Sequence, residues 1–315
     1  MIRTKAIRKI FVTTLSMFII LTVFSLSSIK YENVLRTNLE IEDISGIVTD
    51  DIYLLSTNGY LVKKKILLDS NDMKEKLMKA INSMISHDEN KYSNELIAPI
   101  PKGTIINDII CGDELITIDF SKEILDVSVG HEKHMISAIV YTILEISDAR
   151  GVSILVDGEK LNSYPNTGEK LDNILDKSIG INRDFNITSR KDISKVVVYY
   201  LDNIGNELYY VPVTKYVNDS REKINIIIEE LSSSYIHEEN LMSFLNSRVK
   251  LLDYNIDNDV LFLNFNEFLF DSNDKVLEEV IYSISYSVFD NYDVSMVMFQ
   301  VNGKEVNHVL RYELE

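Results

Sequence analysis

Three separated segments of the chain recur at one common spacing of 145 positions, and this internal repeat constrains the fold more than any other feature. Ile116-Thr117-Ile118-Asp119-Phe120 corresponds to Leu261-Phe262-Leu263-Asn264-Phe265, Tyr141 to Tyr286, and Val156-Asp157-Gly158 to Val301-Asn302-Gly303. No gap is needed between the matches. Chance rarely puts three segments on one offset, whereas duplication does so automatically, so two copies of one domain are expected. A chain of 315 residues has room for two domains of roughly 100–150 residues each.

Each copy reads as the same series of elements. Residues 51–56 and 60–67, joined at Thr57-Asn58-Gly59, form an expected hairpin, repeated by 195–201 and 206–213 around Asn203-Ile204-Gly205. A helix follows, with Met73, Leu77, Ala80, Ile81 and Met84 at helical spacing behind Ser70, Asn71 or Asp72 as cap. Its counterpart places Ile224, Ile227, Ile228 and Leu231 inward and starts at Asp219 or Ser220. Strands are expected at 104–110 and 115–120, and at 248–254 and 260–265, with turns at Gly112-Asp113 and Asp257-Asn258. A second helix puts Met135, Ile139 and Ile143 on one face, matched by Val280, Ile284 and Val288. Final strands at 152–156 and 296–301 run into Asp157-Gly158 and Asn302-Gly303, type I′ turn signals leading to one more short strand.

The expected fold class is α+β, two tandem copies of a small mixed-sheet domain with helices packed on the sheet, preceded by one N-terminal transmembrane helix or signal peptide. The domains are placed at 48–162 and 195–311. Residues 163–194, with Pro165, Gly168 and Gly180, read as a linker or as the completion of the first domain.

Residues 1–29 follow different rules. Arg3, Lys5, Arg8 and Lys9 precede an uncharged run over 10–29, long enough at about 1.5 Å per residue to cross a hydrocarbon core of roughly 30 Å. Basic flanks remain cytoplasmic, so the domains are expected on the outer side of a cell membrane, single-pass. An uncleaved anchor is the favoured reading, and a signal peptide cut near Ser25-Leu26-Ser27 is the alternative. Without those four basic residues the remainder holds 28 basic and 49 acidic residues, a net charge of −21, which disfavours nucleic acid as a partner. The lone Cys111 excludes an intrachain disulfide, so stability rests on apolar cores.

The order of hairpin, helix, Ile100-Pro101-Lys102-Gly103-Thr104, Ile116-Thr117-Ile118-Asp119-Phe120-Ser121, Ile139-Val140-Tyr141-Thr142-Ile143-Leu144 and Val152-Ser153-Ile154-Leu155-Val156-Asp157-Gly158 resembles a GerMN domain. Two such domains behind a membrane segment resemble the GerM-like family of sporulation and germination proteins. The second copy diverges: Asn246-Ser247-Arg248-Val249 stands for the Pro-x-Gly-Thr turn, Asn264 for Asp119 and Ser287 for Thr142. The resemblance implies a role between mother cell and forespore, supporting assembly of a trans-envelope protein complex, with a likeness to the ring-building domains of secretion-type machines.

Candidate chemistry is sparse. The phosphate-cradling, dinucleotide and nucleophile-elbow motifs are all missing from the sequence. His131-Glu132-Lys133-His134 spaces its histidines at i and i+3, where zinc-protease chemistry needs i and i+4, and reads as a solvated first helical turn. Residues 253–259 imitate the start of a calcium loop but reach Asn264 at the closing position, so a hairpin turn is expected. Asp119 reads as the cap of a turn, and Cys111 as a small semi-buried thiol with no activating base.

No catalytic, cofactor-binding or metal residue is therefore assigned, and the chain is read as no enzyme, with a wall hydrolase a remote third class. Lys63-Lys64-Lys65 reads as protection of a strand edge and, if domains assemble sideways, as part of a contact surface. The expected partners are envelope proteins of the sporulation complex. A cell-wall (glycan or peptide) binding module is the alternative, resting on Tyr199, Tyr200, Tyr209 and Tyr210, half of which strand alternation would leave on the sheet surface.

Overall fold

The computed structural model describes residues 49–87, 92, 95–233 and 241–314. The anchor expected at 1–29 lies outside the described residues. Among the described residues no helix is long and apolar enough to cross a membrane.

In the first copy β1 (Asp50–Ser56) and β2 (Leu61–Ile66) form an antiparallel hairpin, α1 (Met73–Ser83) follows, and β3 (Leu96–Ile97) pairs with the other side of β1. Then β4 (Ile106–Cys111), β5 (Leu115–Phe120), β6 (Gly151–Val156) and β7 (Glu159–Lys160) lie side by side in that order, with α2 (Glu132–Ile146) connecting the parallel pair β5 and β6. A short β8 (Asp184–Asn186) precedes the second copy and runs parallel to one end of its hairpin strand β10 (Glu207–Asn218), whose antiparallel partner is β9 (Ile193–Ile204). After α3 (Lys223–Ser232) come β11 (Leu251–Asp257), β12 (Val260–Phe265), α4 (Glu278–Asn291), β13 (Met296–Val301) and β14 (Lys304–Leu310), again a four-stranded sheet in sequence order.

The duplication holds at the level of register. Leu115 to Phe120 pair with Gly151 to Val156, and Val260 to Phe265 pair with Met296 to Val301, every partner displaced by the sequence offset. Alternation explains both strands: Ile116, Ile118 and Phe120 are buried, as are Leu261, Leu263 and Phe265. Each contributes roughly 1.5–3 kcal/mol by leaving water. The hydrogen bonds repeat as well. Thr142 Oγ1 accepts the Tyr53 backbone N–H at 3.1 Å, and Ser287 Oγ accepts that of Tyr199 at 2.8 Å. Asp119 and Asn264 each accept a turn glycine N–H, from Gly158 at 3.0 Å and Gly303 at 2.8 Å. Turn capping is thus the job of Asp119, and it needs an oxygen but no charge. Asp119→Asn is expected to leave stability within about 0.5 kcal/mol of the parent, whereas Asp119→Ala costs about 1 kcal/mol in urea titration.

Several expectations are corrected. The α2 helix is buried on nearly all sides, including Ile136, Ala138 and Val140, because it lies between β1 and β6. A single apolar stripe was therefore too little to expect. The hairpin β9–β10 is longer than the sequence suggested and turns at Gly205-Asn206, with Ile204 paired to Glu207. Lys215, a polar residue in that extension, is held by Asp184 at 2.8 Å and Glu230 at 2.9 Å. Asp219 does not cap α3, because its carboxylate folds back onto the backbone N–H and guanidinium of Arg221, and the helix begins after Glu222. Strand β11 starts later than expected and turns through Asn258 and Asp259, both at positive φ.

Residues 163–194 are built into both copies. Val152 and Leu175 exchange backbone hydrogen bonds at 2.7 and 2.8 Å, Tyr164, Leu171 and Ile181 are buried, and β8 extends the second hairpin.

Candidate functional site

A polar seam runs where the two copies meet. Strand β2 presents its outer edge to β10, and the gap is bridged by Asn182 from the segment between the copies. Its Oδ1 accepts the Leu61 N–H at 2.8 Å, while Nδ2 donates to the carbonyls of Leu61 and Pro212, both at 2.8 Å. Pro212 has no N–H to offer an adjoining strand, so a side-chain amide is a chemically suitable seal at this position. Asn182 sits at φ +46°, in the left-handed region that Asn tolerates.

The lysine run takes part in the same seam. Lys64 Nζ reaches Glu207 at 3.1 Å and the Tyr209 hydroxyl at 3.2 Å on the second copy. Lys63 bonds Glu145 of α2, lies 3.6 Å from Asp51 and stands over the Tyr53 ring. The edge is protected, as expected of charged edge residues, but the occupant it faces is the chain's own second domain. At the hairpin tips, Asn58 Nδ2 donates to both oxygens of buried Asp202, at 3.0 and 2.9 Å.

Each copy contributes two tyrosines and an acid to this interface: Tyr53, Tyr141 and Glu145 from the first, Tyr199, Tyr286 and Asp290 from the second. Tyr53 and Tyr141 meet edge-on at 5.6 Å, and Tyr199 and Tyr286 stack at 5.1 Å. The Tyr199 hydroxyl donates to Asp290 Oδ2 at 2.8 Å. Burial pushes the Tyr286 phenol up to about 12, with Lys63 pulling the other way and Asp51 adding to the rise. Burial opposes ionisation of Glu145, yet the ammoniums of Lys63 and Lys177 prevail and hold its carboxyl at about 2. For Asp51, 3.6 Å from Lys63, burial wins and the pKa is raised.

The remaining candidates separate. Tyr199, Tyr200 and Tyr209 are buried and Tyr210 packs on Tyr282 and Tyr286, so these tyrosines form no open sheet-surface platform. Glu132 is buried, not solvated. Burial opposes its charge, but the Asn166 N–H at 2.6 Å and the Thr167 N–H at 3.2 Å outweigh it and lower its pKa. Glu132→Ala is therefore expected to lose about 2–3 kcal/mol and to open the 163–170 loop to protease, read by urea denaturation and limited digestion.

His131 and His134 stand 6.3 Å apart between ring centres beside a groove of about 400 Å3 that Leu55, Ile97, Pro99 and Val127 also line. Among the described residues no three His, Cys, Asp or Glu side chains converge on a metal position. Residues 253–259 form the expected hairpin. Cys111 is exposed at the end of β4, not semi-buried, and the slight desolvation left to an exposed thiol, with the Asp72 charge, still pushes it up, away from reactivity.

Sequence reading overlooked Asn182, Glu145 and Asp290. The last two were detectable, because they occupy equivalent positions 145 residues apart and keep an acid in both copies.

Two copies of a mixed α+β domain sealed along a shared polar seam define a tandem-GerMN class of protein. The chain belongs to the Germane family, described as sporulation and spore germination, which matches residues 51–162 and 197–307. It is 26% identical over 284 residues to the spore germination protein GerM of Bacillus subtilis (strain 168), covering 87% of this chain and 77% of that protein. Its fold is similar to the solved tandem GerMN domains of the sporulation protein GerM from Bacillus subtilis, with a TM-score of 0.75, 25% identity, and coverage of 82% of this chain and 92% of that one.

Proposed function

We propose that this protein is a non-enzymatic, membrane-anchored scaffold that supports sporulation or germination by holding an envelope protein complex together between mother cell and forespore. The observation that carries the reading is the match of both domains, in tandem and over most of the chain, to a sporulation protein. The seam supports it physically. The Lys64–Glu207 and Asn58–Asp202 contacts and the Asn182 bridge hold one domain against the other, which suits a protein that presents a rigid surface to partners. The basic cluster ahead of the apolar run over 10–29 supports an outward-facing orientation.

The test is a functional fluorescent fusion followed through sporulation, with heat-resistant spores counted in a deletion strain. Enrichment at the engulfing septum together with loss of spores is the expected outcome. Uniform envelope signal with normal spore counts would overturn the reading.

A further inference from the structure

Where the first copy, the intervening segment and the second copy meet, the seam leaves a cavity of about 230 Å3, lined among others by Tyr141, Lys177, Lys195, Lys223, Asp290 and Asn291. That volume is enough for several waters or one small polyatomic ion. Three ammonium-bearing side chains converge on it in a chain whose net charge is −17. Their compensation is incomplete. Lys177 is shared with Glu145 at 3.2 Å. Asp290, the one acid of the lining, has its Oδ2 engaged by the Tyr199 hydroxyl. Lys223 forms no ion pair among the described residues.

Lys195 is the central group. Its Nζ donates to the carbonyls of Ser178 at 2.7 Å and Lys177 at 3.3 Å, which fixes the ammonium at the cavity wall. An ammonium has three donors, so one remains for a ligand. Burial lowers its pKa, Lys223 and Arg183 lower it further, and Asp176 only partly opposes them. Cations at the cavity repel one another, and an anion placed between them would relieve that repulsion.

We propose that this cavity binds a small oxyanion, a phosphate or carboxylate group, gripped by Lys195 and Lys223 with Lys177 at its rim. Because the lining comes from α2, β9, α3, α4 and the segment between the copies, bound anion ties the two domains together. The idea stands apart from the assembly role proposed above, and either can fail alone.

The test uses the full-length chain in detergent, titrated calorimetrically with inorganic phosphate and, separately, malonate, at ionic strength held constant with sodium chloride. One saturable site is expected, accompanied by a rise in the thermal midpoint followed by tyrosine fluorescence. Lys195→Met and Lys223→Met should each weaken binding at least about tenfold, while Lys250→Met, remote from the cavity lining, leaves it unchanged. Lys223 is exposed at the start of α3, so its variant remains informative if the Lys195 variant folds poorly. Binding of phosphate alone or malonate alone identifies the group; binding of both supports the class. No saturable binding to either anion, or equal binding by both lysine variants and the parent, would overturn the proposal.

Discussion

Lys63→Met is expected to destabilise the protein by about 3–5 kcal/mol, the largest effect of any single side chain in the seam. The side chains of Lys63 and Glu145 are each only 18% exposed and that of Asp51 6%, so the two acids would be left in a poorly solvated site. Lys177 continues to offset part of the Glu145 charge, which keeps the cost below that of a fully orphaned ion. Chemical denaturation of Lys63→Met, Glu145→Gln and the double variant gives the coupling. The double variant should be more stable than Lys63→Met alone, because removing one acid relieves the uncompensated charge. A loss below about 1 kcal/mol for Lys63→Met would reduce the pair to an ordinary surface contact.

The same cluster fixes an acid limit. Glu145 has a folded pKa of about 2 against an ordinary 4.5, so its contribution is fully present above about pH 4.5 and is lost as pH falls towards 2. Asp51 acts with the opposite sign. Its raised pKa means that its ionised form is the costly one, and protonation on acidification returns some stability. Lys63 is raised in the fold, so its contribution is present below about pH 10.5 and disappears only as pH climbs through the higher folded value. Net stability should therefore be flat near neutrality and fall below about pH 4.5. In Lys63→Met the principal partner holding Glu145 ionised is gone, and the acid fall should begin at higher pH.

The repeat and the alternating strands were legible because they are local or periodic: Ile116, Ile118 and Phe120 announce one buried face, and their counterparts confirm it at a fixed offset. The seam was not, because it depends on which strand edges meet, and no local pattern encodes that. Lys63-Lys64-Lys65 signalled an edge correctly but could not tell a domain of the same chain from a separate partner. Glu132 misled for a related reason. A carboxylate in a first helical turn reads as solvated until a loop more than thirty residues later supplies the N–H groups of Asn166 and Thr167 that satisfy it. The tyrosines of β9 and β10 failed the alternation argument because their hairpin is covered on more than one side, so neighbours such as Tyr199 and Tyr200 are both buried.

Replacement of Asn182 should separate the domains without unfolding either core first. Asn182→Gly keeps the left-handed backbone and removes only the amide, leaving the Leu61 N–H and the Leu61 and Pro212 carbonyls without their bridge. At about 1–3 kcal/mol for each buried polar group left unsatisfied, and with partial rescue by water, a loss of about 2–4 kcal/mol is expected. Asn182→Ala adds backbone strain of roughly 1 kcal/mol, so the order of stability should be parent, Gly, Ala. Small-angle scattering should report a longer particle, and limited proteolysis should cut first in 163–194. If Gly matches the parent in both stability and shape, the Lys64–Glu207 and Asn58–Asp202 contacts suffice to close the seam. If the domains do swing apart, the same variant tests the scaffold idea in cells: a folded protein with a loosened tandem should lose function only where partners require the two domains at a fixed angle.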